Sequence, residues 1–131
     1  KEDFFKKSDI VTLHLRLNEK TAGVVKELDL LSMKDQAVLI NTARAELLEK
    51  GSLESVLKSK KNIFVGVDVY ENEPIDDIGF KLLQYENVVC TPHLGYVEWN
   101  SYELYFGKAF ENILNFLKGS PTNIANPEVL S

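Results

Sequence analysis

The sequence predicts an α/β fold in which a doubly wound, mostly parallel β-sheet is followed by one long C-terminal helix. The first observation is that strand-like and helix-like stretches alternate along the chain, with helices of about ten residues between strands. Such spacing is typical of right-handed crossovers between parallel strands. The second is the run of valines at 65, 67 and 69, after Ile63 and Phe64, which predicts a strand covered on both faces. The third is the apolar periodicity of residues 98–119, which predicts the long helix.

Four short stretches have the apolar composition expected of strands. In chain order they are residues 8–15 ("SDIVTLHL"), 37–43 ("AVLINTA"), 62–70 ("NIFVGVDVY") and 87–92 ("NVVCTP"). In an open parallel sheet a ligand binds in the crevice beyond the carboxyl ends of the strands. The residues that follow these stretches are therefore the candidates for function.

Three stretches have helical periodicity: residues 23–33, 52–60 and 98–119. Ser52 is a good N-cap for the second of them, and lysines fill its last turn, where cations stabilise the helix dipole. The longest helix carries a broad apolar stripe that consists of Trp99, Tyr102, Phe106, Ala109, Phe110, Ile113, Leu114 and Leu117. We expect this stripe to pack against a core, and four strands offer too little surface, so another domain or another chain is predicted to cover it.

Composition excludes several classes of function. The 131 residues are 44% hydrophobic and 27% charged, which is ordinary for one globular unit, and the net charge of −5 argues against nucleic-acid binding. The densest basic patch, Lys58, Lys60 and Lys61, is expected to close a helix, with phosphate binding as the alternative.

Cysteine content and hydropathy limit the cellular compartments that suit the sequence. Because Cys90 is the single cysteine, the sequence offers no internal disulfide and no cysteine-based metal cluster. No apolar run reaches the roughly 18–20 residues of a membrane span. We therefore predict a cytoplasmic protein with no membrane partner and no metal site.

Polar residues collect where three of the predicted strands end. Arg44 follows the second strand, Asp68 and Glu73 follow the third, and His93 follows the fourth. Each residue has a purely structural explanation, such as a surface ion pair for Arg44 or a satisfied loop histidine for His93. Sheet topology nevertheless brings all of them to one edge, so a shared site is the hypothesis to test.

Carbonyl reduction is the chemistry that suits these residue types. The guanidinium of arginine matches a carboxylate in two-pronged geometry and can polarise a neighbouring C=O group. A histidine beside a carboxylate, here Glu73, has its charged form favoured and can protonate an oxygen as hydride arrives at carbon. Metal-dependent hydrolysis needs more ligands than two histidines supply, and Cys90 lacks the turn of a nucleophile.

Four linked motifs carry a family resemblance. In order and spacing, "SDIVTLHL", "MKDQAVLINTARAELLEKGSLESVL", "VGVDVYENEP" and "NVVCTPHLGY" resemble the D-isomer-specific 2-hydroxyacid dehydrogenases over about residues 4–127. The resemblance implies an NAD(P)-dependent enzyme, represented by the C-terminal half of its Rossmann-like cofactor domain (residues 1–97). Residues 98–131 would form the helix and tail that return to the substrate domain.

The resemblance also implies roles for individual residues. Arg44 would bind the substrate carboxylate and carbonyl, and Glu73 with His93 would be the acid–base pair. Asp68 would accept a hydrogen bond from the nicotinamide carboxamide. The other expected cofactor contacts are Leu15, Thr42, Ala43, Arg44, His93, Leu94, Gly95 and Tyr96.

The chain departs from the family pattern in three ways. Arg16 stands where proline is usual, and Ala45 stands where glycine usually follows the arginine. No glycine-rich phosphate loop is present in the sequence. The residue that selects NAD or NADP would lie upstream of Lys1. We therefore expect the isolated chain to be inactive. The sequence does not identify the particular 2-hydroxy acid.

Two functions from different classes remain open at this stage. The first is an NAD(P)-dependent dehydrogenase of small 2-keto and 2-hydroxy acids, which we expect to act as a homodimer. The second is a non-enzymatic fragment or an interaction protein that resembles the corepressors built on the same fold.

Overall fold

The computed structural model describes residues 1–59, 62–75 and 80–130 and divides into two compact units, Lys1–Gly95 and Tyr96–Ser131. Lys60 and Lys61 of the basic patch, with the end of the helix predicted at 52–60, lie outside the described residues. The division falls close to the predicted boundary after residue 97. The assignment of the two parts to cofactor and substrate domains stays a prediction.

The first unit is built on a four-stranded parallel sheet with the order β1-β2-β3-β4. The strands are β1 (Ile10–Leu13), β2 (Val38–Asn41), β3 (Phe64–Val67) and β4 (Val88–Cys90). In the register, Leu13 pairs with Asn41, Asn41 with Val67, and Val67 with Cys90. The last residues of all four strands therefore form one row, and the segments that follow share one edge. The predicted α/β class with a parallel sheet is confirmed.

Three short helices belong to the same unit: α1 (Glu2–Lys7), α2 (Glu27–Ser32) and α3 (Ser52–Lys58). Helix α1 was not predicted from the sequence. Helix α2 begins later than predicted, because Val25 forms an extended parallel bridge with Leu48 instead of a helical turn. Single 3₁₀ turns follow at Ala45–Leu47 and Lys81–Gln84.

The N-terminus of α3 corrects another expectation. The residue at the N-cap position is Gly51, whose φ of 75° lies in the left-handed region, and Ser52 is the first helical residue. Glycine adopts this conformation without the steric penalty of a Cβ atom, so the chain turns into the helix one residue before Ser52.

The core lies on one face of the sheet. Val11, Leu39 and Val65 are almost completely buried, together with Leu30 of α2 and Val56 of α3. The expectation that β3 is covered on both faces is wrong, since Phe64 is 48% exposed. Neighbouring side chains of a strand point to opposite faces, and helices α2 and α3 contribute to the face that holds Val65.

The second unit contains helix α4 (Trp99–Leu117) and a 3₁₀ turn at Pro127–Leu130. The helix begins after Glu98, whose side chain accepts a hydrogen bond of 2.8 Å from the backbone N–H of Ser101. The long helix is confirmed, and its apolar side chains, such as Trp99 and Leu117, are exposed. In the described ranges, no helix is both long enough and apolar enough to span a membrane.

Candidate active site

The segment after β2 is shaped by a buried asparagine. Asn41 is 1% exposed, its Nδ2 donates to the carbonyl of Arg44 at 2.9 Å, and its Oδ1 accepts from the N–H of Ala43 at 3.1 Å. These two bonds fix the backbone of Thr42, Ala43 and Arg44, three of the predicted site residues. Asn41 was not predicted as a functional residue, although a polar residue that ends an apolar strand was a usable signal.

Glu73 and His93 form a direct pair. The Nδ1 atom of His93 lies 2.7 Å from Glu73 Oε2, and each side chain is about one third exposed. The second carboxylate oxygen, Oε1, accepts a hydrogen bond of 2.9 Å from the backbone N–H of Tyr70. The structure therefore brings together two residues that are 20 positions apart in the sequence.

The electrostatics of the pair favour a charged carboxylate. The hydrogen bond from His93 lowers the pKa of Glu73 below its ordinary value, and the N–H of Tyr70 lowers it further. The positive charge of Arg44 makes the smallest contribution in the same direction, and the Arg44 guanidinium donates a hydrogen bond of 2.5 Å to the carbonyl of Ala43.

The loop that carries His93 has an unusual backbone. The φ angle of His93 is 54°, in the left-handed region that is uncommon for residues other than glycine, although asparagine, aspartate and histidine adopt it more often than the rest. The carbonyl of Thr91 accepts the N–H of His93 at 3.0 Å and the hydroxyl of Tyr70 at 2.8 Å. Residues from the ends of β3 and β4 thus define the position of the imidazole.

Asp68 lies directly behind this loop. It is 2% exposed, and its carboxylate accepts hydrogen bonds from the hydroxyl of Thr91 and from the backbone N–H groups of Leu94 and Gly95. Burial alone raises the pKa of Asp68, but these three hydrogen bonds and the charge of His93 outweigh it and lower the pKa below its ordinary value. The carboxylate is therefore ionised at neutral pH.

Gly95 lies in a tight space between Asp68 and Thr42. A Cβ atom at this position would lie 3.0 Å from Asp68 Oδ2 and 3.5 Å from Thr42 Cβ. The segments after β2 and β4 are thus in close contact at Thr42 and Gly95. Leu15 and Leu94 are each half exposed, and Tyr96 begins the second unit.

The family of the chain follows from comparison with known proteins. Residues 1–95 match the family described as D-isomer specific 2-hydroxyacid dehydrogenase, NAD binding domain. The chain belongs to this family, as the motifs of its sequence predict. The family's cofactor is NAD or NADP, in agreement with the predicted cofactor.

Individual relatives cover nearly the whole chain. A hydroxypyruvate reductase from Blautia hydrogenotrophica is 33% identical over 95% of this chain and 38% of its own length. A glyoxylate reductase from Thermococcus litoralis is 34% identical over 99% of this chain and 39% of its own length. The chain therefore spans about two fifths of the length of the curated relatives it matches.

Solved structures resemble the chain as well. The crystal structure of a phosphoglycerate oxidoreductase from Vibrio cholerae has a TM-score of 0.84 and 51% sequence identity. The similarity covers 90% of this chain and 38% of that protein.

Proposed function

We propose that the protein containing this chain reduces a small 2-keto acid with NADH or NADPH to the D-2-hydroxy acid, and catalyses the reverse oxidation. The observation that carries this proposal is the 2.7 Å contact between His93 Nδ1 and Glu73 Oε2 at the carboxyl edge of the sheet. Membership of the family supports it.

His93, with Glu73 beside it, would donate and accept the proton of the reaction. In the reducing direction, hydride adds to the carbonyl carbon while the imidazolium of His93 gives its Nε2 proton to the carbonyl oxygen. Glu73 lies at Nδ1 and stabilises the charged ring before the transfer. In the oxidising direction the neutral imidazole takes the hydroxyl proton back, as general acid–base catalysis requires.

Arg44 would bind the substrate. Its electrostatic influence on Glu73 supports a location near the acid–base pair. A guanidinium can hold the carboxylate of a 2-keto acid through two parallel hydrogen bonds and thereby orient the neighbouring carbonyl. The proposed contacts to the cofactor are Leu15, Thr42, Ala43, Arg44 and Asp68, together with residues 93–96.

The residues at the sheet edge fit the nicotinamide end of the cofactor. Leu15 and Leu94 offer half-exposed apolar side chains, and Gly95 presents bare backbone beside Thr42. The cofactor supplies the hydride when it is bound. The pyrophosphate would be held by a glycine-rich turn at a helix N-terminus, a motif that this sequence does not contain.

The proposal extends to the domain assignment, the oligomeric state and the cellular location of the protein. We propose that residues 1–97 are part of the cofactor domain and residues 98–131 part of the substrate domain. A homodimer in the cytoplasm is proposed from the family resemblance and from the single cysteine. Analytical ultracentrifugation of the complete protein tests the homodimer.

The experiment that tests the function replaces His93 by asparagine in the complete protein. The variant loses the proton donor, so kcat for 2-keto acid reduction should fall by about 10²–10⁴-fold. The affinity for NADH should change little. The matched control is His14→Asn, which removes the other histidine of the chain and should keep kcat near normal.

Two outcomes would contradict the proposal. Near-normal kcat in His93→Asn would show that the pair does not carry the proton. A wild-type protein that binds NADH but reduces none of a panel of 2-keto acids would instead favour an interaction protein on the same fold.

A further inference from the structure

Tyr70 is hydrogen-bonded to both of the loops that carry the acid–base pair. Its backbone N–H donates to Glu73 Oε1 at 2.9 Å, and its side-chain hydroxyl donates to the carbonyl of Thr91 at 2.8 Å. Thr91 follows β4 directly and lies two residues before His93. One residue therefore connects the loop of Glu73 to the loop of His93.

The carbonyl of Thr91 is the point at which this hydroxyl can influence His93. The same oxygen accepts the backbone N–H of His93 at 3.0 Å, so both donors meet at one atom. The N–H of Thr91 donates in turn to the carbonyl of Val67 at 2.9 Å. The backbone of Thr91 is thus bound to β3 on one side and to Tyr70 on the other, just before His93 adopts its left-handed conformation.

The hydroxyl of Tyr70 has a single proton to donate. Its oxygen lies 2.8 Å from the carbonyl oxygen of Thr91 and 3.3 Å from that of Val67, and the shorter distance is the usual one for a bond between two oxygens. Burial raises the pKa of Tyr70, so the hydroxyl keeps its proton at neutral pH and remains a donor. The bond to Thr91 is therefore the dominant one.

The aromatic ring of Tyr70 is held in place on its own account. It packs against the core of the first unit and meets the ring of Phe80 edge-on, with the ring centroids 5.4 Å apart and the planes at 84°. A ring fixed in this way gives the hydroxyl a defined position. The distance between the two loops is therefore set by a rigid side chain.

We propose that Tyr70 is a positioning residue whose hydroxyl holds the loop of His93 where the imidazole meets the carboxylate of Glu73. Tyr70 acts through this contact and does not itself need to touch substrate or cofactor. The inference rests on the proposed acid–base role of His93 and adds the residue that sets the position of its loop relative to Glu73.

The test is Tyr70→Phe in the complete protein. This change removes the hydroxyl but keeps the ring, its contact with Phe80 and the backbone N–H that binds Glu73. The kcat for 2-keto acid reduction should fall by about 5- to 20-fold, because small misplacements of a catalytic group are costly. The KM for the 2-keto acid and the Kd for NADH should stay within about twofold. An unchanged kcat would overturn the proposal.

Tyr85→Phe is the matched control. Tyr85 is the other tyrosine of the first unit, and its ring is also partly buried against the core. Removal of its hydroxyl should leave kcat near the wild-type value. Equal losses of kcat in Tyr70→Phe and Tyr85→Phe would show a general loosening of the unit and would overturn the positioning role.

A double variant shows whether Tyr70 acts through the acid–base pair. Two residues that act through one contact have non-additive effects, so adding Tyr70→Phe to Glu73→Gln should cost less than Tyr70→Phe costs alone. If the two losses of kcat simply multiply, Tyr70 acts independently of Glu73 and the proposal fails.

A readout that does not need turnover separates this inference from the proposed function. The ¹⁵N NMR signals of the His93 ring report its contact with Glu73 even in a protein that reduces no 2-keto acid. These signals should change in Tyr70→Phe and stay unchanged in Tyr85→Phe. Unchanged signals in Tyr70→Phe would overturn the positioning role.

Discussion

The backbone N–H of Tyr70 donates a hydrogen bond of 2.9 Å to Glu73 Oε1, and this bond orients the carboxylate. With Oε1 engaged, Oε2 is the oxygen that meets His93 Nδ1 at 2.7 Å. The loop after β3 therefore determines which oxygen of the Glu73 carboxylate faces the imidazole of His93.

Replacing Glu73 by glutamine should lower kcat for reduction in the complete protein. Glutamine keeps the shape of the side chain but removes the negative charge that lies 2.7 Å from His93 Nδ1 and stabilises the imidazolium. We expect kcat to fall by about 10-fold or more, measured as steady-state rates at saturating 2-keto acid.

The matched control for Glu73→Gln is Glu71→Gln. Glu71 lies in the same loop and is exposed, so its substitution makes the same charge change without touching the pair. Its kcat should match that of the wild-type protein. Equal kcat values for Glu73→Gln and the wild type would separate Glu73 from the chemistry of His93.

Replacing Arg44 by lysine keeps the charge but loses the two-pronged geometry. The KM for a 2-keto acid should rise and kcat should fall, together lowering kcat/KM by about 10-fold or more, with NADH affinity nearly unchanged. Arg16→Lys, the corresponding change at an exposed arginine after β1, is the comparison variant. Equal losses with a carbonyl substrate that lacks the carboxylate would show that Arg44 does not recognise this group.

Adding a methyl group at Gly95 should displace the loop of His93. The new Cβ atom would lie 3.0 Å from Asp68 Oδ2, closer than ordinary contact, so either the loop or the carboxylate must move. We expect Gly95→Ala to lower kcat by about 10-fold or more, because small misplacements of a catalytic group are costly.

Gly107→Ala is the matched control for Gly95→Ala. Gly107 lies within helix α4, where a Cβ atom meets nothing within 4 Å. This variant should keep its activity and gain about 0.5–1 kcal/mol of stability from helix propensity. A Gly95→Ala protein as active as Gly107→Ala would show that the loop tolerates displacement.

The hydrogen bonds of Asp68 should survive mild acid. The pKa of Asp68 is lower in the folded protein than in the unfolded chain, so its stabilising contribution is complete above about pH 4. The contribution is lost only as the pH falls through the lowered value. The amide proton shifts of Leu94 and Gly95 should therefore titrate together below about pH 4, and a midpoint above the ordinary aspartate value would contradict this assignment.

Much of the site could be placed from the sequence because sheet topology is predictable. Arg44, Asp68 and His93 each follow an apolar strand, and parallel strands present their carboxyl ends at one edge. The location of these residues at the edge therefore does not depend on loop conformation, but their individual hydrogen-bond partners do.

The partners depend on how each loop folds back, which local sequence does not encode. Asp68 accepts hydrogen bonds from the backbone N–H groups of Leu94 and Gly95, 26 and 27 positions later, and no local pattern indicated these partners. The internal bonds of Asn41 were likewise missed, because the turn that they stabilise forms only when β2 ends at that residue. The one-sided burial of β3 was missed because a run of valines has the same composition in either setting.

The left-handed backbone at residue 93 limits which substitutions can report on the chemistry of His93. Asparagine tolerates a φ near 54°, whereas alanine, leucine or a β-branched residue is strained there and would reshape the loop. A scan of many residues at this position would therefore mix two defects, a missing proton donor and a moved backbone. The activity of the variants should therefore depend first on whether the new residue tolerates a positive φ. The strength of its side chain as an acid should matter only among residues that do.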